Sequence, residues 1–102
     1  MPTQIDPEGN EIQALLPRLG DIAGKRVLEI GCGDGRLTWR YARQAGRVVG
    51  IDPKEERIAR ARQNLPAELR SRVKFYAQSL EDYAAGRGKN ERFDLALLSW
   101  SL

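Results

Sequence analysis

A chain of 102 residues with 41% hydrophobic and 30% charged side chains has room for one small domain with a buried core. Having no histidine excludes imidazole catalysis and most zinc sites, and one cysteine excludes an internal disulfide. The net charge of +3 is modest, and no apolar run approaches membrane-spanning length. The acidic, polar N-terminus carries no secretory pattern, and with the lone cysteine this points to a cytoplasmic protein.

In chain order, residues 1–9 hold two prolines and a glycine and read as an irregular lead-in. Residues 10–20 read as an amphipathic helix, with Asn10 as cap, Gln13 as its capping-box partner, and Ile12, Leu15, Leu16 and Leu19 on one stripe. Pro17 should kink or end it. A first strand is expected over about 26–31, then a glycine turn, then a helix whose Leu37, Tyr41 and Ala45 share one face and which ends near Gly46. Arg47 to Ile51 reads as a second strand that stops at Asp52-Pro53. Asp52 suits the N-cap of the next helix, Pro53 its first position and Glu55 the capping-box position. Ile58, Ala61 and Leu65 supply its buried stripe, Glu56 and Arg60 an exposed pair, and Asn64-Leu65-Pro66 its end. A third strand is expected over 72–77, a short helical turn over 79–85, an exposed loop over 86–90 and a fourth strand over 93–98. The unbroken apolar run of that last strand suggests burial on both faces.

Arg57, Arg60, Arg62, Arg70 and Arg72 would suit phosphates, but they are mixed with Glu55, Glu56 and Glu68 and no aromatics interleave. That mixture reads as a solvated helix face and argues against a nucleic-acid partner.

Strands alternating with helices imply parallel βαβ units, hence an α/β fold with both sheet faces covered. The turn after the first strand reads Glu29-Ile30-Gly31-Cys32-Gly33-Asp34-Gly35, a Glu-x-Gly-x-Gly-x-Gly spacing rather than the G-x-G-x-x-G of dinucleotide sites. Asp52 follows at the end of the second strand, where a carboxylate can accept from both ribose hydroxyls of a nucleoside; the alternative is a plain helix cap. This pattern resembles the first half of a class I S-adenosylmethionine-dependent methyltransferase. The resemblance implies a Rossmann-like three-layer α/β/α fold with a parallel sheet of order 3-2-1-4, stopping after the fourth strand, with residues 25–102 forming the cofactor-binding units. It implies S-adenosyl-L-methionine as cofactor and methyl transfer to an unidentified, small-molecule acceptor.

By the same resemblance, Glu29 would help hold the ammonium of the methionine moiety, or else is only a strand-end carboxylate. Gly31, Gly33 and Gly35 would let the backbone approach that moiety, with Cys32 a space-filler inside the turn. Asp34 caps the helix or borders the site. Pro53 would pack on the adenine. Ser79 stands where the family usually has an acidic residue near the adenine amino group, so Ser79 and the Leu80 amide are the substitutes available. Ser99 and Trp100 would border the transferable methyl, Trp100 otherwise simply packing. No catalytic base and no metal ligand can be nominated.

Two other functions keep part of this pattern: aminopropyl transfer on the same fold, and a non-catalytic half-domain that binds S-adenosylmethionine or a partner chain. Because the family continues with three more strands, the chain is expected to be part of a longer product and to dimerise or aggregate through its fourth strand.

Overall fold

The computed structural model describes residues 22–99. Four parallel strands form one sheet of order β3-β2-β1-β4, as the resemblance implies: β1 is Arg26–Ile30, β2 Arg47–Ile51, β3 Val73–Tyr76 and β4 Leu95–Leu98. Three helices connect them: α1 Arg36–Tyr41, α2 Glu55–Asn64 and α3 Leu80–Ala85, with a 3-10 turn at Ala67–Leu69. The expected N-terminal helix and lead-in, and Trp100, lie outside the described residues.

Pleating divides the strand residues between two cores. Val27, Val48, Val73, Phe75 and Leu97 face α1 and α2, where Leu37, Tyr41, Ala45, Ile58, Ala61 and Leu65 meet them. Leu28, Val49 and Ile51 face the other way and pack with Tyr83 of α3. Each fully buried Val, Leu or Ile contributes about 1.5–3 kcal/mol, so this two-sided burial is why β1 and β2 are continuous apolar runs.

Register matters most where β1 and β2 carry their exceptions. Glu29 pairs with Gly50, and both lie on the α1 face. A Cβ at Gly50 would come 2.7 Å from the Phe75 ring and 2.9 Å from the Cys32 sulfur, so the missing side chain is filled by those two neighbours. The free edge of β3 is partly covered: Arg62 on α2 donates from Nη2 and Nε to the Phe75 carbonyl at 2.6 and 3.2 Å. Satisfying an edge carbonyl this way blunts strand-to-strand pairing.

Four local expectations are corrected. α1 ends at Tyr41 with Ala42 as its C-cap, and Gly46 has another role: a Cβ there would meet the Gly24 carbonyl oxygen at 2.6 Å. The N-cap position of α2 is Lys54, with no side-chain cap, so Asp52, Pro53 and Glu55 are not its capping set. Glu56 and Arg60 form no ion pair among the described residues. β4 is buried on one side only: Leu97 joins the core under α1 and α2 and is 7% exposed, whereas Leu98 points to the opposite face, belongs to neither core and is 54% exposed.

Gly46→Ala should therefore destabilise the fold by about 1–3 kcal/mol, since the neighbour it strikes is backbone that must shift. Urea unfolding measures this, and an unchanged midpoint would contradict the packing.

Candidate functional site

The carboxyl ends of β1 and β2 meet at the glycine turn. Its three glycines have φ of +79° (Gly31), +58° (Gly33) and +87° (Gly35), a left-handed region that costs glycine little. Gly31 and Cys32 donate to the Ile51 carbonyl at 2.8 and 3.1 Å, locking the turn onto the end of β2. Two of the glycines are also required by packing inside the protein. A Cβ at Gly31 would sit 2.5 Å from the Ser99 carbonyl oxygen, and one at Gly35 would sit 3.0 Å from Trp39 Nε1 and 3.2 Å from Phe75.

Glu29 is fully buried beneath this turn rather than facing solvent. Its Oε1 accepts from the Thr38 hydroxyl at 2.6 Å and from the Tyr41 hydroxyl at 2.7 Å, both on α1, while Oε2 has no hydrogen-bond partner. Burial pushes the Glu29 carboxyl above the usual carboxylate range, opposed by the bonds from Thr38 and Tyr41. Burial, then the charge of Glu29, raises the Tyr41 phenol well above its ordinary value, so it stays protonated and donates. Thr38 and Tyr41 were missed as polar partners. Tyr41 lies on the apolar helical stripe, and nothing local in the sequence links it to a strand carboxylate 12 residues away.

Asp52 is 4% exposed. Its Oδ2 accepts from the Gly33 amide at 3.0 Å and its Oδ1 from the Lys54 amide at 2.9 Å. The carboxylate thus ties the middle of the glycine turn to the chain leaving β2, across a separation of 19 residues. Each oxygen keeps a further lone pair, so these bonds leave acceptor capacity toward a ligand.

The other predicted residues are placed less uniformly. Cys32 is buried, and burial followed by the charges of Glu29, Asp52 and Asp34 drives its thiol far above the usual range, which suits a space-filler and not a nucleophile. Asp34 accepts from the Arg36 amide at 3.3 Å while Gly35 holds the N-cap position. Pro53 is exposed beside Asp52. The Ser79 hydroxyl oxygen accepts from the Asp82 amide at 3.1 Å as the N-cap of α3, and Leu80 is exposed, so this position works first as a helix start. The Ser99 amide donates to the Ile30 carbonyl at 2.8 Å, which brings it against Gly31 at the mouth of the turn.

Away from the turn, a groove of about 500 Å³ runs along β3, with Arg62, Arg70 and Lys74 among its lining residues and no carboxylate. Among the described residues no helix is long and apolar enough to cross a membrane.

The sequence model of a family described as a methyltransferase domain matches residues 27–102. The magnesium-protoporphyrin O-methyltransferase of Rhodobacter capsulatus is 39% identical over 74 residues, which cover 72% of this chain and 33% of that protein. The 23S rRNA (uracil(1939)-C(5))-methyltransferase of Acinetobacter baylyi is 35% identical over 79 residues, covering 74% of this chain and 17% of its own. The RNA methyltransferase of Salinibacter ruber, solved with S-adenosyl-L-homocysteine, superimposes with a TM-score of 0.70 at 26% identity, over 96% of this chain and 60% of that one. The chain thus spans a third or less of these two curated relatives. The expectation of no nucleic-acid partner is overturned, because the similarity extends to enzymes of RNA. Its physical fault was to average charge along the sequence: Glu68 is engaged by Arg43 at 2.6 Å, while the cations of the β3 groove stand apart from the acids.

The raised Glu29 carboxyl has a consequence for pH. Its folded value lies above the unfolded one, so its contribution is complete below about pH 4.5 and is lost as pH rises through the folded value. The unfolding midpoint of Glu29→Gln should therefore lack that component of the decline toward neutral pH. Parallel curves for the two proteins in thermal unfolding from acid to neutral pH would contradict it.

Proposed function

The chain belongs to the class I S-adenosylmethionine-dependent methyltransferases, and from that premise we propose that the Gly31–Gly35 turn and Asp52 seat the methyl donor and that the protein they serve transfers its methyl group to an acceptor. The observation that carries this is the Asp52–Gly33 bond. It joins the strand-end carboxylate and the centre of the glycine turn, the two features on which the donor's ribose and methionine moiety would rest.

The residues present fit the donor. Asp52 retains lone pairs for ribose hydroxyls, Gly33 leaves the turn without a side chain, and Pro53 beside it offers an apolar surface to the adenine. The unpartnered oxygen of Glu29 places negative potential under the turn, where an ammonium would lie. Ser79 and the Leu80 amide border the adenine end, and Cys32 and Ser99 line the turn. The donor, when bound, supplies an electrophilic methyl on a sulfonium. This chain's part is to hold it fixed for in-line displacement, a matter of position more than of proton transfer.

For the acceptor, the small molecule expected from the sequence accords with the magnesium-protoporphyrin relative. RNA is a second reading, favoured by the basic groove along β3 and by the RNA-modifying relatives. A single buried cysteine suits a cytoplasmic setting.

Titration calorimetry should show S-adenosylhomocysteine binding more tightly than NAD, and the reverse order would overturn the donor assignment. Asp52→Ala should cost about 1.5–3 kcal/mol of that affinity for each charged bond lost. Its unfolding midpoint must be followed as well, because the same carboxylate holds Gly33 and Lys54. Unchanged affinity with a lowered midpoint would reduce Asp52 to a structural tie.

A further inference from the structure

The β3 groove is a feature that the donor site leaves unused. Its walls come from the end of α2, the segment leading to β3, and β3 itself, and they present Arg62, Arg70 and Lys74 over Leu65 and Phe75. Arg62 is fixed in place by its two bonds to the Phe75 carbonyl, yet the guanidinium keeps further N–H donors. Arg70 and Lys74 are exposed, and neither forms an ion pair among the described residues. The nearest acid in sequence, Glu68, is engaged by Arg43. Three cations around a concave surface with no carboxylate in its lining favour an anion with spaced charges.

We propose that this groove binds the phosphodiester backbone of single-stranded RNA, with Arg62, Arg70 and Lys74 each facing a phosphate. The proposal rests on the RNA reading of the acceptor. A flexible single strand can follow a concave groove by its charges alone. Base stacking adds little, because, of the two aromatic residues in the lining, Phe75 is buried and Tyr76 is already occupied. Tyr76 has the Arg87 guanidinium 4.4 Å from its ring centroid and stacks on Tyr83 with centroids 6.0 Å apart. The groove therefore reads charge rather than sequence and holds the strand while other parts of the protein select the target nucleotide.

Fluorescence anisotropy with a labelled single-stranded RNA of about 12 nucleotides, within the usual range of site sizes, tests this on the whole chain. Three phosphate contacts predict that log affinity falls against log salt with a slope of about −2, and that Arg70→Glu/Lys74→Glu reduces it to about −0.7. The double variant should weaken binding by on the order of tenfold or more at low salt, while S-adenosylhomocysteine affinity and the unfolding midpoint stay unchanged. If the charge reversal disturbs folding, Arg70→Gln/Lys74→Gln decides instead, with the slope again near −0.7 and a smaller loss of affinity expected. RNA bound equally by wild type and variant would overturn the groove and leave the RNA reading standing. No RNA binding by the wild type would overturn both.

Discussion

The structure hangs on a carboxylate placed where a strand would ordinarily carry an apolar side chain. Glu29 points from the centre of the sheet into the layer beneath α1, and burying it is costly unless charge-assisted bonds compensate. Thr38 and Tyr41 supply two such bonds to one oxygen. They fix α1 to β1 at the point where the glycine turn joins the two. Rotating or sliding the helix would strip this buried carboxyl of both donors, so the turn is held at both ends. A polar tie in the core specifies geometry where apolar packing alone would allow slippage.

A second carboxylate fixes the turn from the other side. Asp52 holds the Gly33 amide with one oxygen and the Lys54 amide with the other, so the end of β2 and the turn after β1 form one rigid unit. Preorganisation of this kind lowers the entropy lost when a ligand is bound in a single orientation. Gly50 extends the same logic into the sheet. Opposite Glu29 in register, it lets Phe75 and Cys32 close over the strand beside the turn. Arg62 then ties the backbone of β3 to α2 along the free edge, where the basic groove begins.

Much of this was legible in the sequence because it depends on local chemistry. Apolar runs bounded by glycine and Asp-Pro located β1 and β2, and the 3.6-residue stripe of Ile58, Ala61 and Leu65 located α2. What was not legible depends on partners distant in sequence. Asp52-Pro53 has the form of a helix start, and only the fold shows its carboxylate reaching back to Gly33 as well as forward to the Lys54 amide. Tyr41 fits an apolar stripe until its hydroxyl is seen to meet Glu29. The apolar run of β4 suggested a fully enclosed strand, but enclosure is a property of neighbours, and Leu98 faces away from the core that holds Leu97. Averaging charge along the chain likewise hid the grouping of Arg62, Arg70 and Lys74, which arises only when α2 folds against β3.

The proposed seat of the methyl donor is the turn from Gly31 to Gly35, held by Glu29 beneath and Asp52 beside. The most direct measurement is a crystal structure of the chain with S-adenosylhomocysteine. Ribose hydroxyls are expected at hydrogen-bond distance from the Asp52 carboxylate, about 2.6–3.2 Å, with the amino-acid end lying over Gly33. A ligand bound away from this turn, or one whose ribose makes no contact with Asp52, would contradict it.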